Sequence, residues 1–276
     1  MNLKVEAIKP AIGAIVHLDR SQISDDAVAR QCMELIEKHA VIVFPRLGLS
    51  DAEQIAFTEK LGARVNFTTT APGGSKDGLY TISLDPRLNP EPEYVLGTFF
   101  YHMDGMSMEG IPPPKASVLA CRKTAPKGGQ TEFASTYAAY EGLSDDDKAE
   151  FEKLRVVHSV VAGVREIASA ADIEPRKRAR KAERPLVWTH RSGRKSLLVG
   201  YTADTVVGMS LAEGRALLAR LLEWTGQPAF SYRHHWQEGD LVIWDNCGAL
   251  HRVIPYAADS GRMMHRTSVA GVEMLA

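Results

Sequence analysis

Two histidines and one aspartate in this sequence have the types and spacing of a metal-binding set. His102 and Asp104 are two residues apart, and His251 follows much later in the chain. Imidazole and carboxylate groups together suit Fe(II), and three ligands on one side of the ion leave other positions open for reacting molecules. A metal ion with open positions can do chemistry, whereas a fully ligated one mostly stabilises a fold. We therefore expect His102, Asp104 and His251 to form a reactive metal site.

The predicted strands provide a way to bring these residues together. Side chains two apart on a strand point the same way and are about 7 Å apart at the backbone, so a strand over 95–103 would let His102 and Asp104 reach one ion. His251 must then arrive from a neighbouring strand. The His-x-Asp pattern is common, and His235 in the pair His234-His235 is a rival ligand, although adjacent residues on a strand face opposite ways.

Two arginines follow the second histidine. Arg262 and Arg266 are four apart in a segment that reads as a strand, so they should share a face. Buried cations need anionic partners, and the planar guanidinium group can bind a carboxylate through two hydrogen bonds. The pair could therefore clamp a carboxylate ligand beside the metal. The alternative is a structural ion pair with an internal Asp or Glu.

Short strands separated by turn residues dominate the chain after residue 94. The predicted strands are 41–44, 95–103, 116–123, 129–134, 155–162, 195–201, 228–236, 240–245 and 263–270. Helices are expected from Ser24-Asp25-Asp26 to about His39, from Ser50 to Gly62, near 136–153 and near 211–224, with capping boxes at Ser50 and Ser210. This pattern indicates a mainly β fold with flanking helices, of the sandwich or jelly-roll kind.

Composition limits the classes of protein to consider. The chain has 276 residues, 45% hydrophobic and 24% charged, with a net charge of −1. We expect one domain over 1–276 and no nucleic-acid partner, because there is no surplus of positive charge. No apolar stretch approaches the about 20 residues of a membrane span, no signal peptide is evident, and three scattered cysteines do not suggest disulfides. We therefore expect a cytoplasmic protein, with the basic run 175–181 as a solvated insertion.

The sequence resembles the taurine dioxygenase and 2,4-D dioxygenase family of Fe(II)- and 2-oxoglutarate-dependent enzymes over nearly its whole length. Three blocks carry the resemblance. They are Tyr101-His102-Met103-Asp104, the run from Gly128 to Phe133, and the run from Gly239 to Asn246 that continues through His251 to Arg266. In the family, Trp usually precedes the first histidine, and Arg usually stands at the position of Cys247.

The resemblance implies a double-stranded β-helix, or jelly-roll, core and a role for each site residue. His102, Asp104 and His251 would bind Fe(II), while Thr131 and Arg262 would hold the far carboxylate of 2-oxoglutarate. Arg266 would meet the near carboxylate or an anionic substrate group. O2 is the further co-substrate, and relatives associate as dimers or tetramers.

The resemblance also implies hydroxylation of a C–H bond, with decarboxylation of 2-oxoglutarate to succinate. Hydroxylation beside oxygen or sulfur would lead to ether or C–S cleavage. Aromatic and methionine residues crowd the first two ligands, which favours a small organic acid that is partly aromatic or apolar over taurine. The residues expected to contact this substrate are Asn66, Phe99, Tyr101, Met106 and Arg266. The alternatives are a biosynthetic hydroxylase or desaturase of the same iron class, a metal-dependent hydrolase, and a non-catalytic binding barrel.

Overall fold

In the part of the chain that the structure describes, the fold combines four β-sheets, two of which face each other, with helices on their outer surfaces. The structure is a computed structural model, and it describes residues 3–65, 78–88, 96–167, 169, 171, 173 and 175–275. The strands are β1 (Lys4–Ala7), β2 (Ala14–His17), β3 (Val41–Phe44), β4 (Tyr80–Ile82), β5 (Ala116–Lys123), β6 (Thr131–Ser135), β7 (Arg155–Ser159), β8 (Lys181–Pro185), β9 (Val187–Thr189), β10 (Lys195–Leu197), β11 (Ala203–Val206), β12 (Ser231–His234), β13 (Leu241–Asp245), β14 (Ala249–Val253) and β15 (Met263–Val269).

The helices are α1 (Asp26–His39), α2 (Asp51–Leu61), α3 (Thr136–Glu141), α4 (Asp145–Phe151), α5 (Pro175–Arg178) and α6 (Leu211–Gly226). Two of the helices, α2 and α6, begin directly after the capping residues that the sequence predicted. Ser50 and Ser210 each form a complete capping box with the glutamate three residues later. These reciprocal bonds satisfy amide groups that the first helical turn leaves without partners. In the part of the chain that the structure describes, no helix is long and apolar enough to cross a membrane.

Seven of the strands form one large sheet in the order β1-β2-β3-β13-β5-β15-β4, and β12-β6-β14 form a second sheet. The sheets meet through apolar side chains, and the ring centroids of Phe133 on β6 and Trp244 on β13 are 5.4 Å apart. Residues of α1 and α2 pack with the opposite face of the large sheet, for example Ile36 and Phe57 with Val118. Two facing sheets with helices outside them confirm the predicted β-rich jelly-roll fold.

The strand predicted over 95–103 is wrong for the residues described in that range. Gly97–Phe99 form a short 3-10 turn, and His102 pairs with His251 as an isolated bridge. Asp104 lies in a turn in which Gly105 has a φ of +82°. A positive φ interrupts the extended backbone, so a regular strand cannot continue through this segment.

Other boundaries differ from the sequence pattern at strand ends. The strand β5 has the predicted limits, whereas β7 ends at Ser159 and β10 ends at Leu197. The pattern missed β8, where exposed charged residues alternate with buried ones immediately after the basic run. Part of that run, Pro175–Arg178, forms the exposed helix α5.

Candidate metal centre

The fold brings together His102, Asp104 and His251. Their ligand atoms all lie within 4.8 Å of one another. Asp104 Oδ1 lies 4.0 Å from His102 Nε2, and Asp104 Oδ2 lies 4.0 Å from His251 Nε2. These distances are too long for hydrogen bonds, so the atoms face one another across a gap. Two imidazoles and one carboxylate around a gap match the donor set of a non-haem Fe(II) site.

Backbone pairing positions the two imidazoles. The N–H group of each histidine donates to the carbonyl oxygen of the other at 3.0 Å, and the ring centroids are 4.1 Å apart. His102 Nδ1 donates to the Phe100 carbonyl at 2.8 Å. Because this bond fixes the proton on Nδ1, the Nε2 lone pair of His102 is free to bind a metal ion.

Burial and nearby charge set the protonation of the three groups. Burial lowers the pKa of both His102 and His251. Burial alone would raise the pKa of Asp104, but the positive charge of Arg266 is the largest of the effects that outweigh burial, and the pKa is lowered. At neutral pH the site therefore presents two neutral imidazoles and an ionised carboxylate, the forms that metal binding requires.

The rival histidines do not join this group. His234 Nε2 lies 3.0 Å from Asp240 Oδ2, and His235 is exposed. Among the described residues, His102, Asp104 and His251 form the one cluster of three side chains able to hold a metal ion.

Arg262 is a buried cation whose neighbours include a backbone carbonyl and an aromatic ring. Its side chain is 3% exposed, its Nε donates to the Gly129 carbonyl at 3.1 Å, and its guanidinium carbon lies 4.7 Å from the centre of the Tyr256 ring. No carboxylate of the described residues lies within ion-pair distance of it. The alternative of an internal ion pair therefore finds no support at Arg262, whereas a buried cation of this kind suits an anionic ligand.

Two consecutive glycines leave room for the Arg262 side chain to lie against the backbone. Gly128 and Gly129 both have positive φ angles. A Cβ atom on Gly129 would lie 2.9 Å from Cδ and Nε of Arg262, and one on Gly128 would lie 2.0 Å from the Pro255 carbonyl oxygen. Two residues later, the buried Thr131 accepts a hydrogen bond from Trp236 Nε1 at 2.9 Å.

Arg266 contacts one of the three metal-binding residues directly. Its Nη1 donates to Asp104 Oδ2 at 3.0 Å. On β15 it is paired with Leu119 of β5, and Met264 is paired with Cys121. Leu119, Cys121 and Met264 all belong to the apolar cluster between the sheets, which places Arg266 on the inner face as the sequence predicted.

A cavity adjoins the ligands and contains Arg266. Its wall includes the apolar side chains Ile82, Met106, Val160, Val164 and Tyr201. Residues that carry hydroxyl groups, among them Thr98, Ser107 and Thr202, also line it. The cavity therefore suits a ligand that has an apolar part and a few groups able to form hydrogen bonds.

The residues expected to contact substrate lie in different places. Met106 and Arg266 border the cavity, but Phe99 and Tyr101 do not. Phe99 packs against Tyr256, and the Tyr101 hydroxyl donates to Glu132 at 3.4 Å. Phe99 and Tyr101 were expected at the substrate because they lie close to His102 in the sequence, but closeness along the chain does not decide which way a side chain points. Asn66 lies outside the described residues.

Asn246 was not predicted as a functional residue, but its side chain contacts the metal centre through the backbone of Asp104. Its side chain is buried and makes two hydrogen bonds with Asp104. The one sequence feature that could have pointed to Asn246 is its position at the end of the block from Gly239 to Asn246. That block shows resemblance to a family, but it does not reveal a partner 142 residues away.

Comparisons with known proteins agree with this site. The family described as taurine catabolism dioxygenase TauD, TfdA family matches residues 4–268. An alpha-ketoglutarate-dependent 2,4-dichlorophenoxyacetate dioxygenase of Burkholderia sp. (strain RASC) is 32% identical, over 98% of this chain and 95% of that protein. An (S)-phenoxypropionate/alpha-ketoglutarate-dioxygenase of Sphingobium herbicidovorans is 31% identical, over 97% and 94% of the two chains.

A solved structure is similar along the whole chain. The crystal structure of AAD-2 in complex with Mn(II) and N-oxalylglycine has a TM-score of 0.84 and 30% identity, and the match covers 100% of both chains. A fold, a ligand set and a family match of this extent exclude the hydrolase and binding-barrel alternatives. The chain belongs to the TauD, TfdA family and is an Fe(II)- and 2-oxoglutarate-dependent dioxygenase.

Proposed function

We propose that this dioxygenase hydroxylates a C–H bond of a small organic acid with an aromatic or apolar body. The observation that carries the substrate class is the cavity beside the three ligands, whose exposed wall surface is mostly apolar. The named substrates of the two phenoxyalkanoate relatives combine an aromatic ring with a carboxylate. Such a molecule would place its ring against Met106 and Val164 and its oxidised carbon towards the ligand set.

The proposal assigns the metal to His102, Asp104 and His251. The facing donor atoms and the protonation states of the three side chains support this assignment. When bound, Fe(II) and O2 would supply the oxidising chemistry, in which 2-oxoglutarate is decarboxylated to succinate and carbon dioxide. The protein contributes position and an environment from which bulk water is largely excluded.

The proposal assigns 2-oxoglutarate to the two arginines and Thr131. Arg262 would bind the far carboxylate, with the Thr131 hydroxyl beside it, because its buried charge has no carboxylate partner among the described residues. Arg266 would orient Asp104 and face the near carboxylate. Hydroxylation of the carbon next to an ether oxygen would give an unstable product that splits, so the organic acid would be cleaved.

Succinate formation in the presence of candidate substrates tests the substrate class. Phenoxyalkanoates, alkylsulfonates and alkylsulfates should be compared at equal concentration, with product masses recorded to separate hydroxylation from desaturation. We expect phenoxyalkanoates to give the highest kcat/KM. If taurine alone stimulated succinate formation, the proposed apolar substrate would be wrong.

Substitution of Arg262 tests the 2-oxoglutarate site separately. Arg262→Ala should raise the KM for 2-oxoglutarate by about 100-fold, because truncating one partner of a buried charge pair costs about 2–5 kcal/mol. The KM for the organic acid should change little. An unchanged KM for 2-oxoglutarate would remove Arg262 from this role.

A further inference from the structure

The side chain of Asn246 holds the backbone of Asp104 at two points. The Asp104 N–H group donates to Asn246 Oδ1 at 3.0 Å, and Asn246 Nδ2 donates to the Asp104 carbonyl at 3.0 Å. Asn246 is 0% exposed. Buried hydrogen bonds of this kind are costly to remove, because the donor and acceptor that lose their partner cannot form a hydrogen bond with water instead.

A side chain holds the backbone of Asp104, whereas the backbones of the two histidines hold each other. His102 and His251 are fixed by mutual backbone pairing, whereas Asp104 lies in a turn beyond that bridge. Among the described residues, neither the N–H nor the carbonyl of Asp104 has a main-chain hydrogen-bond partner. Its backbone position is therefore set by Asn246.

Asn246 is itself attached to the large sheet, at the connection that leads from β13 to the strand that carries His251. It follows β13 directly, and its own N–H group donates to the Lys115 carbonyl at 3.0 Å. The chain then turns into β14, which contains His251. The side-chain amide of Asn246 thus connects the turn that supplies the carboxylate with the connection between β13 and β14, the strand that supplies the second imidazole.

We propose that Asn246 is a positioning residue that sets the place of the Asp104 carboxylate relative to the two imidazoles and so controls metal affinity. The proposal rests on the metal-ligand set proposed above. Asn246 does not touch the metal position in this geometry; it acts through the backbone of a ligand. Residues that orient metal ligands typically change metal affinity by about 10–100-fold when they are replaced.

The competing explanation is that Asn246 only stabilises the fold, as any buried amide can. Gln54 provides a matched control for that effect. It is also 0% exposed, and its Nε2 donates to the backbone carbonyls of Val118 and His265 at 3.2 and 2.9 Å. These carbonyls belong to β5 and β15, but Gln54 lies on α2, on the face of the sheet opposite the metal centre.

The test compares Asn246→Ala, Asn246→Leu and Gln54→Ala by two measurements. Mn(II) affinity of the full chain is measured by electron paramagnetic resonance of free Mn(II), and unfolding of the metal-free protein is measured in urea. Asn246→Leu keeps most of the side-chain volume while removing both hydrogen bonds. It therefore separates the loss of these bonds from the creation of a cavity, and it provides a second variant if the alanine variant does not fold.

We expect both Asn246 variants to bind Mn(II) at least about tenfold more weakly than wild type. Gln54→Ala should lower the urea midpoint while leaving Mn(II) affinity unchanged. Equal Mn(II) affinity in wild type and a folded Asn246 variant would overturn the inference, as would a comparable loss of affinity in Gln54→Ala. Failure of the wild-type chain to bind Mn(II) would instead refute the proposed ligand set and the inference with it.

Discussion

Arg266 Nη1 donates a hydrogen bond to Asp104 Oδ2 at 3.0 Å, so one guanidinium group holds the carboxylate that completes the ligand set. Burial would favour the protonated form of Asp104, and the charge of Arg266 is the largest of the effects that lower its pKa instead. The arginine thus has two functions in one contact. It keeps the carboxylate ionised in a buried place and it fixes one of the carboxylate oxygens.

Replacement of Arg266 should weaken metal binding through Asp104. Arg266→Ala removes both the charge and the hydrogen bond, so Mn(II) affinity should fall by about 10–100-fold. The loss should be larger at acidic pH, because the pKa of Asp104 rises when the positive charge is removed. Mn(II) titrations at several pH values measure both effects.

Arg266→Lys is the control for charge. Lysine keeps a cation but lacks the planar fork, so it should restore the pH dependence while recovering only part of the affinity. Identical behaviour of the alanine and lysine variants would show that charge at this position is not what maintains Asp104.

The close approach of Gly129 to Arg262 leads to a second prediction. A Cβ atom at Gly129 would lie 2.9 Å from Arg262, so Gly129→Ala should displace the guanidinium group and raise the KM for 2-oxoglutarate. We expect an increase of about tenfold, equivalent to about 1.4 kcal/mol. Steady-state kinetics with 2-oxoglutarate as the varied substrate measure this effect.

Gly193→Ala is the matched control. Gly193 also has a positive φ, of +84°, but nothing lies within 4 Å of a Cβ atom built there. Both substitutions should cost about 1–2 kcal/mol through backbone strain, and only Gly129→Ala should affect 2-oxoglutarate. If Gly193→Ala also raised the KM for 2-oxoglutarate, the effect would come from a general loss of stability and not from displacement of Arg262.

Buried His158 should make the metal-free protein less stable in acid. Burial lowers its pKa from 6.5 to about 4. Above pH 6.5 the folded and unfolded chains both hold it neutral. As the pH falls from 6.5 to about 4, only the unfolded chain takes up the proton, so stability is lost by up to about 3 kcal/mol.

His158→Gln removes this contribution and allows it to be measured. The variant should be destabilised relative to wild type at pH 7, and the difference should shrink by about 2 kcal/mol by pH 5. Urea unfolding of both metal-free proteins at the two pH values gives the comparison, in which His102 and His251 contribute equally to each protein. A difference that stays constant between pH 7 and pH 5 would contradict the lowered pKa.

The placement of Met106 and Tyr101 predicts that they affect substrate differently. Met106 borders the cavity and Tyr101 does not. Met106→Ala should lower kcat/KM for the preferred organic acid by about tenfold, because lost apolar contacts in a pocket are worth about 1–3 kcal/mol. Tyr101→Phe removes only a hydroxyl that contacts Glu132 and should leave kcat/KM unchanged. The reverse order of effects would place Tyr101 at the substrate.

The sequence predicted well those features that follow from local periodicity and from motif spacing. The limits of β5, the capping boxes and the inward face of Arg266 belong to this group, since each depends on residues close together in the chain. The ligand types could also be identified, because few side chains suit Fe(II) and the motif spacing pointed to them.

What the sequence did not reveal depends on contacts between distant segments. Asp104 reaches the site from a turn, through Asn246, and neither periodicity nor propensity encodes that pairing. The same reason explains why the position of Tyr101 was not predicted. Its hydroxyl contacts Glu132, on β6, and does not face the cavity. Strand alternation was the wrong local argument for His102 and Asp104, whereas His251 does arrive from a neighbouring strand, β14, and pairs with His102 through an isolated bridge.

The mutual backbone bonds of His102 and His251 make their spacing independent of the length of chain that joins them. Segments between them border the cavity, among them the stretch that carries Val160 and Val164. Such segments can be exchanged with those of a relative without moving either imidazole, provided that the paired backbone groups are kept. Chimeric proteins built in this way offer a route to altered substrate choice on an unaltered oxidation centre.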